Sequence, residues 1–180
     1  WTVDDNADLW PSDVTQWVDA DGDTFGDNPL GTDGDICPGV AGSSYNDRNG
    51  CPDSDGDGYS DPDPTGANGP VWTVADGADA FPSDASMWAD ADGDGVDDAS
   101  DDSCPNVAGT SSEDRLGCPD SDGDGYSDSD STWGFSDGAD VFPNDSTQWN
   151  DTDFDGYGDE PTGNLADSCP NVWGDSWRNN

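Results

Sequence analysis

Lysine and histidine are absent from this chain, and its basic residues are Arg48, Arg115 and Arg178 alone. Against those three stand 43 acidic residues, a formal charge of −40 at pH 7. That sign excludes nucleic acid and anionic membrane surfaces as partners, since both would repel the chain. Hydrophobic residues are scarce at 29%, too few for one continuous core to offset the entropy of ordering. No apolar run approaches the roughly 18 residues of a membrane span. Composition alone places the chain among disordered sequences. Order would need a cationic agent, because packed carboxylates repel one another at neutral pH. Neither an initiator Met nor a signal peptide precedes Trp1, so the sequence reads as a processed or partial piece of a longer exported protein.

What is present is repetition. WPSDVTQWVDADGD (10–23), FPSDASMWADADGD (81–94) and FPNDSTQWNDTDFD (142–155) are one unit written three times. WTVDDNAD (1–8) matches WTVADGAD (72–79), and SDGAD (136–140) continues that series. DICPGVAG (35–42), DSCPNVAG (102–109) and DSCPNVWG (167–174) form another, and CPDSDGDGYSD recurs whole at 51–61 and 118–128. The chain divides into repeats 1–71 and 72–132, each with two acidic loops and a cysteine pair, and a partial third, 133–180, with one loop. Inserts at 28–34 and 62–75, rich in Pro, Gly, Asn and Thr, belong in surface loops.

The acidic loops share D-x-D-x-D-x-x-x-D. They are Asp19/Asp21/Asp23/Asp27, Asp53/Asp55/Asp57/Asp61, Asp90/Asp92/Asp94/Asp98, Asp120/Asp122/Asp124/Asp128 and Asp151/Asp153/Asp155/Asp159. Alternate carboxylates converge when the backbone curls, and Ca²⁺ takes six to eight oxygens at about 2.3–2.6 Å. Mg²⁺ keeps its waters and transition metals prefer imidazole or thiolate, so the pattern points to calcium, about five ions or more. The sixth loop position should need positive φ, and Gly58, Gly95, Gly125 and Gly156 occupy it. Loop 1 has Thr24 there, which predicts a distorted or weaker site. The seventh residue (Phe25, Tyr59, Val96, Tyr126 or Tyr157) should offer its carbonyl. Position twelve lacks the Glu of an EF-hand, so further oxygens are expected from Asp35, Asp102 and Asp167 before each first cysteine. The pairs Asp5/Asp8, Asp76/Asp79 and Asp137/Asp140 are the other candidates, with a solvated acidic face as the alternative.

Runs of D-x-D-x-D-G-x-x-D followed by Cys-Pro resemble thrombospondin type 3 repeats, found also in bacterial and archaeal surface proteins. The resemblance covers nearly the whole chain. It implies an irregular, metal-dominated repeat array: calcium-binding loops joined by short helical turns, little regular secondary structure, and local disulfides. The long inserts and the aromatic F/W-P-x-D-x-x-x-W segment depart from that pattern.

Ser12, Ser83 and Asn144 read as N-caps of short helical turns ending at Trp17, Trp88 and Trp149. Trp10, Phe81 and Phe142 should pack on those rings as a minimal core, with a carbohydrate-binding platform as the competing use of nine Trp residues. Trp1, Trp72 and Trp133 are candidates for contacts between repeats or subunits. Equal spacing predicts disulfides Cys37–Cys51 and Cys104–Cys118, hence an oxidising, extracellular or cell-surface location. Zinc, the competitor, is poorly served by two cysteines without His. Cys169 is left over, its partner expected beyond the end or in a neighbouring chain. Arg48 and Arg115 should form ion pairs among the aspartates. Asn144 and Asn150 open sequons that could carry glycans.

Together these features predict a structural protein and not an enzyme: the carboxylates are explained as metal ligands, and no His, Lys or motif-bound nucleophile is present. A surface filament assembled head-to-tail, in which the next subunit's Trp1 segment completes the third repeat, is favoured over a rigid stalk. The alternatives are a calcium-dependent adhesin or glycan-binding module of a larger secreted protein, or an accessory segment of a secreted hydrolase.

Overall fold

The computed structural model describes residues 7–174. Its backbone is turn and bend almost throughout. Among the described residues the one helix is a three-residue 3-10 turn, Val74–Asp76. Strand pairing is limited to isolated bridges, Gly26 with Gly34, Asp63 with Trp72, and Gly158 with Ala166. The cause is local: Asp, Ser and Thr side chains bond nearby backbone N–H groups and so compete with helix and sheet ladders.

The expected helical turns show this competition. Asp13, Asp84 and Asp145 donate their backbone N–H to the carbonyls of Trp10, Phe81 and Phe142 at 2.8, 2.9 and 2.8 Å, and Gln16, Met87 and Gln148 close a second turn on the Asp carbonyls, without the two merging into a helix. The capping carboxylates are Asp13, Asp84 and Asp145, not the predicted Ser12, Ser83 and Asn144. Each accepts the backbone N–H and the hydroxyl of the residue two positions on, Thr15, Ser86 or Thr147. Those hydroxyls hold the three carboxyls below the ordinary Asp range.

The chain forms two compact units, Trp1–Ala91 and Asp92–Asn180, dividing inside the second sequence repeat. In the first, the buried apolar side chains are Cys37, Cys51 and Ala78, beside buried Gln16, Asp35, Ser44, Arg48, Ser60, Asp63 and Asp79. In the second, Cys118 and Ala139 are buried with Asp97, Ser111, Ser127, Asp140, Gln148, Asp151 and Asp167. Both interiors are therefore mainly polar, and hydrogen bonds and disulfides must do what apolar packing does elsewhere.

Each unit has one disulfide, Cys37–Cys51 and Cys104–Cys118, spanning 14 residues with Cα atoms 5.1 Å apart. Closing a loop of that size contributes about 3 kcal/mol through the unfolded state. Ser44 sits inside the first, its hydroxyl donating to the Arg48 carbonyl and accepting from Cys51 N at 3.1 Å; Ser111 repeats this with Arg115 and Cys118. Cys169 stands outside both bridges. The two arginines differ. Arg115 pairs with Asp130 at 2.7 Å and lies over Trp133. Arg48 is buried over Trp72, 5.3 Å from the ring centroid, with Nη2 donating to Cys37 Sγ at 3.5 Å. The ion pair predicted for both is present at Arg115, while at Arg48 an aromatic face takes the cation.

Candidate metal centres

Loops 1, 2, 4 and 5 are built by the same bonds, and loop 3 shares one of them. Where the first Asp is Asp19, Asp53, Asp120 or Asp151, one carboxylate oxygen accepts the N–H of loop position four (2.6, 2.7, 2.8 and 2.7 Å). Its other oxygen accepts from position six (3.0, 3.1, 2.9 and 2.8 Å). The fifth-position Asp accepts from position seven in all five loops, at 2.8–3.0 Å. In loops 1, 2, 4 and 5 the N–H of the ninth-position Asp returns to the carbonyl just ahead of the loop.

Positions four and six must both turn left-handed. Gly93 and Gly95, for example, have φ of 83° and 91°. Two positions carry side chains in that region, Thr24 (83°) and Phe154 (61°). Thr24, where a distorted or weaker site is expected, does sit in that disfavoured region. Loop 1 keeps the bonds of its siblings and holds Thr24 in a conformation costing about 1–2 kcal/mol.

The result is five triplets, Asp19/Asp21/Asp23, Asp53/Asp55/Asp57, Asp90/Asp92/Asp94, Asp120/Asp122/Asp124 and Asp151/Asp153/Asp155. In each, one oxygen per residue lies within 4.8 Å of the others. Around them are buried carboxylate oxygens that receive no hydrogen bond: Oδ2 of Asp21, Asp55, Asp57, Asp92 and Asp124, both oxygens of Asp122 and Asp153, and Oδ1 of Asp159. Such atoms are costly unless a cation meets them, and the three arginines cannot serve five sites. The carbonyls of Phe25, Tyr59, Val96, Tyr126 and Tyr157 likewise accept no hydrogen bond from the described residues. An all-oxygen set with open lone pairs fits a hard divalent cation. These carboxylates, those carbonyls and the ninth-position Asp27, Asp61, Asp98, Asp128 and Asp159 are the groups that would hold it.

Each loop also receives a closing carboxylate from further along the chain. Asp35, Asp102 and Asp167 accept the N–H of Cys37, Cys104 and Cys169 on Oδ1 at 2.6, 2.6 and 2.8 Å, leaving Oδ2 buried without a donor. Asp79 and Asp140 do the same with Phe81 and Phe142, both at 2.7 Å. Burial raises the Asp35 carboxyl to about 6, with Asp23, Asp21 and Asp27 of loop 1 adding to the effect, and Asp35 and Asp23 both crowd Gly50. Burial likewise lifts Asp79 to about 6 and Asp140 to about 7. Asp57, Asp55 and Asp61 add to the first, and Asp124, Asp122 and Asp128 to the second. Asp79 thus lies near the carboxylates of loop 2 and Asp140 near those of loop 4. Asp102 is raised by burial and by Asp94, Asp92 and Asp98 of loop 3, and Asp167 acts on Asp153 of loop 5.

One bond is common to all five: the backbone N–H of the closing Asp donates to the carbonyl of loop position eight. The pairs are Asp35 to Gly26 (2.8 Å), Asp79 to Ser60 (3.0), Asp102 to Asp97 (3.1), Asp140 to Ser127 (2.9) and Asp167 to Gly158 (2.7).

Asp8 makes the same turn, accepting from Trp10 N at 2.9 Å, with its side chain exposed. Asp76 and Asp137 cap Thr73 and Gly134 instead of closing a loop; Asp5 lies outside the described residues. Asn144 and Asn150 are exposed, and the Asn150 amide nitrogen, the atom a glycan would occupy, donates to Asp159 Oδ2 at 2.7 Å.

Several supporting residues escaped the sequence reading. Asp47 and Asp114 accept the N–H and hydroxyl of buried Ser60 and Ser127, tying loops 2 and 4 to the disulfide segments. The recurrence of D-R two residues before G-C was their signal. Buried Gln16 and Gln148 bond across the inserts that follow loops 1 and 5. Tyr59 stacks on Trp88 with centroids 5.4 Å apart, and Tyr126 on Trp149 at 4.9 Å, so a loop residue supplies the ring partner. No helix among the described residues is long and apolar enough to cross a membrane. No family model and no curated protein matches the chain, so its function rests on the sites themselves.

Proposed function

We propose that this chain is an extracellular structural protein stabilised by calcium, of thrombospondin type 3-like repeats, forming the repeating subunit of a surface filament or rigid stalk. The observation that carries the reading is the set of buried, donorless carboxylate oxygens at all five loops. A chain of charge −40 that buries carboxylates this way needs metal in order to fold. Calcium is favoured by the oxygen-only donors and by their number, up to five carboxylates and a carbonyl per site. Two disulfides suit an oxidising compartment.

A second reading, a calcium-dependent glycan binder, has one observation behind it. Trp17, two residues ahead of loop 1, is 52% exposed, whereas its counterparts Trp88 and Trp149 are stacked. Circular dichroism and electron microscopy on one sample, with calcium and then with excess EDTA, test the main reading. Ordered signal or fibres should vanish with EDTA and return with Ca²⁺ but not with Mg²⁺. Order that survives chelation unchanged overturns it. Monomeric particles in millimolar calcium overturn the filament form.

A further inference from the structure

The five loops close in two different ways. Asp35, Asp102 and Asp167 come from the same sequence repeat as the loop they face. Asp79 and Asp140 do not: loop 2 lies in repeat 1–71 and Asp79 in the next, and loop 4 lies in repeat 72–132 and Asp140 in the third. Each is almost wholly buried, at 1% and 0% exposure, with Oδ1 held by the N–H of the Phe two residues on and Oδ2 buried without a donor.

The connecting segments do not dictate this placement. The chain from Asp61 to Asp79 is longer than that from Asp128 to Asp140 and folds differently. The first holds a bridge between Asp63 and Trp72 and a turn in which Asp63 accepts from Ala67 and Asn68. The second is short, with Asp130 accepting from Thr132 and Trp133. Both nevertheless deliver the aspartate to the same point. Its N–H lies on the carbonyl of Ser60 or Ser127, fully buried residues whose hydroxyls are held by Asp47 or Asp114. Both segments also pass a tryptophan under the arginine of the preceding repeat, Arg48 over Trp72 and Arg115 over Trp133. The Tyr59–Trp88 and Tyr126–Trp149 stacks span the same two joints.

Resting on the metal reading of the loops, we infer that the cations of loops 2 and 4 are clasps between successive repeats, each closed by the next repeat's Asp79 or Asp140. The cations of loops 1, 3 and 5 close within a repeat, beside its first cysteine. Calcium then sets the coupling of repeats through two sites and the internal order of a repeat through the other three. Losing the clasp ions frees the joints while the disulfide segments 37–51 and 104–118 stay tied.

The test uses the full chain and calcium alone as the probe. Calorimetric titration of wild type, Asp79→Asn and Asp35→Asn is paired with limited proteolysis by a nonspecific protease and mass spectrometry of the first cuts. Asp79→Asn should weaken one calcium site tenfold or more and open cleavage within 62–78, with 37–51 still protected. Asp35→Asn should weaken a site without opening 62–78. Unchanged calcium binding in Asp79→Asn, or cuts at 62–78 no faster than in Asp35→Asn, overturns the clasp. A wild type that binds no calcium overturns the metal reading instead. Should Asp79→Asn fail to fold, wild type at graded calcium decides: first cuts within 62–78 and 129–139 support the clasp, and first cuts inside 37–51 or 104–118 refute it.

Discussion

Loops 1 and 5 and loop 3 reach the same closed geometry by different routes. In loops 1 and 5 an insert separates the ninth-position Asp from the closing Asp, and a buried glutamine braces it. Gln16 donates Nε2 to the carbonyls of Asn28 (2.9 Å) and Thr32 (3.0 Å), and accepts from Asn28 N at 3.1 Å. Gln148 treats Glu160 and Asn164 alike. Glycine at position eight makes room: a Cβ on Gly26 or Gly158 would strike the glutamine side chain. Loop 3 has Met87 where the glutamines stand and reaches Asp102 without an insert. Its turn is tied by N–H groups of Asp101 and Asp102 on the Asp97 carbonyl, both at 3.1 Å, and by the Ser100 hydroxyl on Asp97 Oδ2. The closing bond to position eight is the invariant, and the brace is needed only where chain must be folded away.

The sharpest way to break this comparison is Gln16→Ala. It strands a buried N–H and two carbonyls, a loss of about 2–4 kcal/mol, and should weaken calcium binding at loop 1. Met87→Ala should leave calcium affinity at loop 3 within a factor of about three, since no insert depends on it. Calorimetric titration of the two variants compares them directly, and equal losses would refute the brace.

Acidity separates the metal-free chain from the loaded one. Asp35 and Asp79 at about 6 and Asp140 at about 7 lie above the ordinary Asp value of 3.8. The folded chain therefore binds protons more tightly than the unfolded one. In EDTA this contribution is complete below about pH 4 and is lost as pH rises through 6 to 7. In calcium the slope reverses, because protons compete for the same oxygens, and affinity should drop up to about tenfold per pH unit below 6 for each proton displaced. In calcium the melting temperature should fall from pH 7.5 to 4.5, whereas in EDTA the ordered circular dichroism signal, absent at pH 7.5, should grow over the same range; parallel trends would count against ligation by these three.

A smaller effect is expected at the left-handed positions. Thr24→Gly should stabilise the loaded chain by about 1 kcal/mol by relieving the strained φ, less the added unfolded-state entropy. Gly95→Thr in loop 3 should cost a similar amount. Thermal melts in saturating calcium measure both. Smallest of all, Met87→Gln should change stability by no more than about 0.5 kcal/mol, because loop 3 offers no insert carbonyls for the new amide to bind; the same melts would show it.

How much was legible follows from how local each feature is. The triplets are, because alternate Asp residues on a curled nonapeptide converge whatever surrounds them, and the position-six turn was visible in Gly58, Gly95, Gly125 and Gly156. The matching need at position four was written equally plainly in Gly22, Gly56, Gly93 and Gly123 but is unmarked in loop 5, where Phe154 takes it. The helical turns failed as a prediction because Asp-x-Thr/Ser bonding outcompetes a five-residue helix, a contest decided by one side chain.

By itself the sequence determined the repeat register, the five acidic loops and the cysteine pairs, since each depends on spacing between near neighbours. Only the tertiary structure decided which aspartate closes which loop, which ring stacks on which, and that Gln16 and Gln148 hold an insert. Those choices join residues far apart in the chain, and they follow from where a buried carbonyl at position eight finds its donor, which no local pattern encodes.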